Sequence, residues 1–67
     1  MTKEALDKIP AHVREKLEEL RMAHKRETNY LEKSRITSRS AGYVMGLRDA
    51  GLITERERQI LFVYTTV

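Results

Sequence analysis

The chain of 67 residues has room for one domain, and its 40% hydrophobic and 34% charged residues set it apart from disordered segments. Its net charge of +3 is compatible with nucleic acid or an acidic partner, and the absence of cysteine excludes disulfides and thiolate zinc sites. No apolar run is long enough to span a membrane, and residues 1–7 have no signal-peptide character. We therefore expect one cytoplasmic domain over residues 1–67 that makes no membrane contact.

The first predicted element is a long helix from Pro10 to about Lys33. Proline is favoured in the first turn of a helix, and Pro10 also ends the short turn that Thr2 caps over residues 3–8. Residues 11–33 contain no glycine or proline and are rich in glutamate, lysine, leucine and arginine, which are strong helix formers. This composition predicts about six uninterrupted helical turns.

The apolar face of this long helix is narrow. At 100° per residue, a single arc holds Val13, Leu17, Leu20 and Leu31, together with His24 and Glu27. Such a stripe does not bury six turns, so we expect either Ala23 and Tyr30 to widen it or a second copy of the helix to pack on it. With a second copy the two polar residues fix the register of the pair; otherwise they lie in water at the edge of the stripe.

Hydroxyl and arginine side chains fill residues 34–40, which predicts a turn followed by a helix N-cap. The second helix is then expected from about Ser38 to Ala50, with an apolar side formed by Ala41, Val44, Met45 and Leu47. Small residues recur every four positions on its other flank, at Ser38, Gly42, Gly46 and Ala50. Because each mid-helix glycine costs about 1 kcal/mol relative to alanine, this strip predicts close approach of another helix; the alternative is an exposed helix that the glycines loosen.

A helical hairpin is predicted where this helix ends. Gly51 suits the left-handed conformation that terminates helices, and Leu52 can make the apolar contact that accompanies it. Thr54 and Glu57 have the spacing of a capping box, in which each side chain accepts a hydrogen bond from the backbone of the other residue. A helix stop and a helix start therefore follow each other within four residues.

The hairpin segment, residues 47–57, reads Leu-Arg-Asp-Ala-Gly-Leu-Ile-Thr-Glu-Arg-Glu and resembles the hairpin of short C-terminal (SHOCT-type) domains. In those domains a leucine-bearing helix stops at Ala-Gly-Leu/Val-Ile-Thr and restarts with acidic residues. The resemblance covers about 20 of the 67 residues, and it ends at residues 60–64, where Ile-Leu-Phe-Val-Tyr replaces an alternating charged run. It implies a fold element with an oligomerising role and no biochemical activity.

The last eight residues fit two structures. As a helix they place Ile60, Val63, Tyr64 and Val67 on one stripe, with Phe62 facing outward. As a strand they form a run of β-branched and aromatic residues. Such a strand fits a winged helix-turn-helix repressor, because residues 47–53 resemble the end of a recognition helix that enters the wing, and residues 55–58 would form the tip of that wing. The long charged helix before Ser38 does not suit that domain. We therefore predict an all-α protein of three helices, a long N-terminal helix followed by a tight helical hairpin.

No catalytic motif is present. The chain has no cysteine nucleophile, no phosphate-binding glycine loop and no His-Glu-x-x-His, and its carboxylates are spread along charged helix faces. His12 and His24 are about 18 Å apart on a straight helix, too far to share a metal ion. We predict no enzymatic activity, no cofactor, no metal and no small-molecule substrate.

Two binding functions fit the sequence. The first is a small regulatory protein, an adaptor or inhibitor of the kind found among bacterial and phage accessory genes, which binds a protein partner or forms a homo-oligomer through a helix face. Its expected contact residues are Val44, Met45, Ile60, Phe62 and Tyr64, and the alternative for all of them except Phe62 is that they fill the core of the hairpin. The second is a basic DNA-binding regulator, because cations surround the end of the first helix together with Tyr30. Its expected contact residues are Lys25, Arg26, Lys33, Arg35 and Arg39, which Arg48, Arg56 and Arg58 extend from the hairpin. Glu27 and Glu32 are interleaved with these cations, so the alternative is an ordinary solvated helix surface.

Overall fold

The computed structural model describes residues 1–67 and contains four α-helices and no strand, with about 81% of the chain helical. The helices are α1 (Thr2–Asp7), α2 (Ala11–Arg26), α3 (Tyr30–Asp49) and α4 (Glu55–Thr66). The predicted all-α class is confirmed, and the last residues, which also fitted a strand, belong to α4, so there is no wing. None of the four helices combines the length and apolar character needed to cross a membrane.

The predicted long first helix is wrong beyond Arg26, because the chain breaks into α2 and α3 over residues 27–29. Glu27 and Asn29 have extended backbone, with ψ values of 127° and 125°. The Asn29 side chain accepts a hydrogen bond from the Glu32 N–H at 3.1 Å, and the Glu27 carboxylate accepts one from the Asn29 N–H at 2.9 Å. This local capping stabilises a new helix start, so the break between the two long helices lies at residues 27–29 and not at residues 34–37. The fourth helix is α1, where the sequence predicts only a short turn over residues 3–8.

The second correction concerns the start of the hairpin's first helix, which begins at Tyr30 and not near Ser38. The segment 34–40, predicted as a turn, lies inside α3. Here a hydroxyl bonds to the preceding helical turn instead of capping a new one, since Thr37 Oγ1 donates to the Lys33 carbonyl at 3.0 Å. Hydroxyl-rich composition alone therefore does not distinguish a helix start from a helix interior.

The hydrophobic core forms where α4 lies against α1, α2 and α3. Its buried cluster consists of Ala5, Ile9, Val13, Leu17, Val44, Leu47, Ile53 and Leu61. The predicted stripe on α2 is confirmed for Val13, Leu17 and Leu20, which are buried, whereas Leu31 is 68% exposed. Leu31 leaves the stripe because the break at residues 27–29 changes its angular phase relative to α2.

The predicted hairpin is confirmed in detail. Gly51 has φ of +79° and ends α3, while the Gly51 N–H donates to the Arg48 carbonyl and the Leu52 N–H to the Leu47 carbonyl. These two bonds are those of a Schellman motif. Both bonds of the capping box at Thr54 and Glu57 are also present, at 3.1 and 2.8 Å.

One ion pair and a side-chain cap attach α1 and the two residues after it to the rest of the fold. The Lys8 ammonium lies 2.8 Å from the Glu57 carboxylate, and the Arg14 guanidinium donates to the carbonyls of Leu6 and Ile9 at the end of α1. Lys8 and the Thr54 backbone hold the pKa of Glu57 below its usual range. Glu57 therefore serves the capping box and the α1–α4 contact together.

No helix of this chain packs closely on the strip of small residues, although the sequence predicts such a contact. A Cβ atom built at Gly42 or Gly46 would meet nothing within 4 Å, and Ser38, Gly42, Gly46 and Ala50 are all exposed. The buried side of α3 is formed by Ile36, Ser40, Val44 and Leu47, so Val44 and Leu47 of the predicted apolar side are buried while Met45 is exposed. Within this chain no second helix approaches the strip closely.

Candidate nucleic-acid interface

The five residues expected to contact a protein partner lie mostly in or against the chain's own core. Val44 is fully buried, and Ile60, Phe62 and Tyr64 are partly buried and packed against the core cluster. Phe62 was expected to face outward, but α4 is surrounded by three helices and its ring packs inward. Met45 is 44% exposed and is the one member of the set that presents an apolar surface.

Tyr64 has a clear structural role within the chain. Its hydroxyl donates to the Glu18 carboxylate, and the Arg21 guanidinium lies 5.2 Å from the centre of its ring. Arg21 also pairs with Glu18 at 3.2 Å. Burial, followed by the neighbouring Glu18 carboxylate, raises the pKa of Tyr64. This cluster holds α4 on α2.

Three of the five expected nucleic-acid contacts surround the turn between α2 and α3. Lys25 and Arg26 are the last two residues of α2, and Lys33 lies in the first turn of α3. Tyr30 opens α3 and is 82% exposed. We call these four residues, Lys25, Arg26, Tyr30 and Lys33, the basic corner.

The other two expected contacts, Arg35 and Arg39, lie one helical turn apart on the exposed side of α3. At 100° per residue, Arg39 lies about 120° around the helix from Lys33, so these arginines form a ridge beside the basic corner and not part of it. Arg35 donates to the Glu32 carboxylate at 2.7 Å. The five cations therefore fall into two neighbouring groups.

The three hairpin arginines lie away from the basic corner, and Arg56, which is exposed, is the one of the three that makes no ion pair. Arg48 and Arg58 both donate to the Glu55 carboxylate, at 2.6 Å each, at the opposite end of α3. These hydrogen bonds, to Arg58 above all, hold the pKa of Glu55 well below its usual range. Arg48 and Arg58 are therefore engaged in stabilising the hairpin.

The cations around the basic corner differ from most others in the chain because they have no internal partner. Ion pairs involve Lys8, Lys16, Arg21, Arg35, Arg48 and Arg58, whereas Lys25, Arg26, Lys33 and Arg39 make none. Elsewhere in the chain Lys3, Arg14 and Arg56 also make none, but they do not lie together, since each is on a different helix. Residues 21–39 hold six of the thirteen lysine and arginine residues and two of the ten acidic ones, a net charge of +4. The positive charge of the protein is therefore concentrated at one end.

A shallow depression adjoins the basic corner and is lined by Tyr30, Lys33, Ser34 and Thr37. It combines an aromatic ring, an ammonium group and two hydroxyls, which are groups that bind phosphate and sugar oxygens and stack on bases. No group of three or more histidine, cysteine, aspartate or glutamate side chains is arranged to hold a metal ion. The side chains that line this depression are therefore suited to bind an anion that also carries a flat apolar group.

One signal for this geometry is present in the sequence but was missed. Asn29 is followed three residues later by Glu32, which is the spacing of a helix N-terminus, and Thr28 and Asn29 are weaker helix formers than their neighbours. That pattern predicts the break that creates the basic corner. Comparisons of this chain with protein-family models, with curated proteins and with solved structures each find no match, so the similarity of its hairpin to SHOCT-type domains stays a prediction.

Proposed function

We propose that this protein is a small non-enzymatic regulator that acts by binding, and that the basic corner binds the phosphate backbone of nucleic acid. The observation that supports this proposal is the set of unpaired cations beside an exposed tyrosine at one end of the molecule. Each unpaired cation is free to neutralise a phosphate without first breaking an internal ion pair.

The chemistry of the surface favours binding that does not depend on base sequence. Lysine and arginine act on phosphates as positive charges, and an exposed tyrosine stacks on any base. The two glutamates nearby, Glu27 and Glu32, are engaged with the Asn29 backbone and with Arg35, so they do not pair with the basic corner. The expected affinity at physiological salt is that of non-specific binding, with Kd of about 10⁻⁴ to 10⁻⁶ M.

Binding to a protein partner is the second candidate. Exposed apolar side chains at Leu31 and Met45 support it, because both lie on the outer side of α3 away from the core. This surface differs from the set expected from the sequence, of which only Met45 is exposed in the folded chain.

Fluorescence anisotropy of a labelled generic duplex, titrated with the full chain at low and physiological salt, tests the nucleic-acid proposal. We expect affinity to fall steeply with salt, and the triple variant Lys25→Gln, Arg26→Gln, Lys33→Gln to reduce the slope of log K against log salt by about 2 to 3. The matched control is Lys3→Gln, Lys16→Gln, Arg56→Gln, which removes the same charge elsewhere. Absence of binding at low salt, or equal losses for the two triple variants, would contradict the proposal.

A further inference from the structure

The outer side of α3 is a continuous exposed face with a regular spacing. Six exposed residues alternate at intervals of four and three positions, which places them on one side of a helix: Leu31, Arg35, Ser38, Gly42, Met45 and Asp49. We call these six residues the α3 face. It has one exposed apolar side chain in each half, Leu31 (68% exposed) and Met45 (44% exposed). No other element of the chain covers it.

Charge order along the α3 face indicates what covers it. Arg35 and Asp49 lie seven residues before and after Gly42, about 10 Å away on either side. If two copies cross antiparallel at Gly42, Arg35 of each copy lies opposite Asp49 of the other, and both ends of the contact are attractive. A parallel crossing opposes like charges at both ends. The face is therefore complementary to itself in the antiparallel orientation only.

The present partners of these two charges do not hold them strongly. Arg35 pairs with Glu32 at 2.7 Å and Asp49 with Arg48 at 3.2 Å, in pairs at least a third exposed. Exposed pairs of this kind contribute about 1 kcal/mol or less, so either side chain reorients at low cost. Asp49 is also the last residue of α3, where the helix dipole disfavours a carboxylate, so an additional cation would stabilise it.

The centre of the α3 face has room for a second helix. Gly42 has no side chain, and the space around its Cβ position is empty to 4 Å, while Ser38 and Gly46 beside it are small and exposed. We propose that a second copy of this chain docks here, with the two α3 helices antiparallel and crossing at Gly42 so that Arg35 of each copy pairs with Asp49 of the other. A two-fold axis through the crossing point makes the contact closed and symmetric. The proposal goes beyond the nucleic-acid function and uses no residue of the basic corner.

Sedimentation equilibrium of the full chain over a range of concentrations tests this dimer. We expect the wild type to dimerise, and Arg35→Asp and Asp49→Arg each to raise the dimer dissociation constant about tenfold or more, since each creates two like-charge contacts. The double variant Arg35→Asp, Asp49→Arg restores the attraction and should return to within about threefold of the wild type. Lys3→Asp, which changes the net charge as Arg35→Asp does but lies on α1, should leave the constant unchanged.

A second variant separates the interface from the fold. Gly42→Leu adds a side chain into open space on the monomer, so the helical circular dichroism should be retained while the dimer is lost. A wild type that stays monomeric at the highest concentration, or a double charge reversal that fails to restore dimerisation, would overturn the proposal. Failure of nucleic-acid binding would not overturn the dimer, because the triple variant at Lys25, Arg26 and Lys33 should dimerise as the wild type does.

Discussion

The two ends of this small molecule are built differently. At the hairpin end, α4 lies against α1, α2 and α3, and this end holds every residue of the buried core cluster. At the corner end, residues 21–39 contribute none of that cluster, and Met22, Tyr30 and Leu31 are exposed. Most of the apolar stabilisation of the fold therefore lies at one end.

Charge follows the same division. At the hairpin end Lys8, Arg48 and Arg58 are bound by Glu55 and Glu57, so their charges stabilise the fold. At the corner end most cations have no internal partner. A chain of 67 residues has little surplus stability, and concentrating its stabilising contacts at one end leaves the side chains of the other end free to bind. The two ends should therefore respond very differently to substitution.

The largest difference is expected from equivalent leucine truncations at the two ends. Leu61→Ala removes a fully buried side chain from the core and should lower the free energy of unfolding by about 2 to 5 kcal/mol. Leu31→Ala, at the corner end, removes a side chain that is 68% exposed and should change it by about 0.5 kcal/mol or less. Urea denaturation followed by circular dichroism measures both values.

If Leu61→Ala does not fold at all, Leu61→Val gives a smaller loss that still ranks the two positions. Comparable losses at Leu31 and Leu61 would contradict the division of the molecule into a stabilising end and a binding end.

Local capping signals decide how much of the fold can be predicted from the sequence. Gly51, Thr54 and Glu57 predicted the hairpin because each acts on backbone groups within a few residues. Asn29 and Glu32 act in the same way, and together they indicate the helix start at Tyr30 that the prediction placed near Ser38. The hydroxyls of residues 34–40 misled because a serine or threonine side chain bonds equally well to the preceding helical turn.

The candidate site depends on packing that the sequence does not specify. Phe62 was expected at an interface because it faces away from the apolar stripe of its own helix, yet α4 is surrounded by three helices. Ala5 of the short α1 and Ile9, which follows that helix, supply part of the cover. The cluster of cations was visible in the sequence, but its division into corner and ridge depends on where α3 begins.

Acid should destabilise the hairpin end first. The pKa of Glu57 is lowered by Lys8 and by the Thr54 backbone, so its charged form is favoured in the folded state. That contribution is present above the ordinary glutamate pKa of about 4.3 and is lost as the pH falls through the lower folded value. We expect the thermal midpoint to drop between pH 5 and 3, and the drop to be smaller in Glu57→Gln, which keeps the cap.

Glu15→Gln is the matched control for this pH effect, because Glu15 is exposed and makes no ion pair in the chain. Its pH profile should follow that of the wild type. A Glu57→Gln profile that also follows the wild type would show that the Lys8–Glu57 pair does not set the acid response.

The smallest effect is expected at Ser40, the buried polar residue on the inner side of α3. Its hydroxyl is fully buried and has no hydrogen-bond partner, a state that costs free energy because the group has lost its water. Ser40→Ala removes the hydroxyl and favours the helix, so the free energy of unfolding should stay the same or rise by up to about 1 kcal/mol. Ser38→Ala on the exposed side changes helix propensity alone. A gain at Ser40 that exceeds the gain at Ser38 isolates the cost of the buried hydroxyl, whereas a loss at Ser40 would mean that the hydroxyl has a partner.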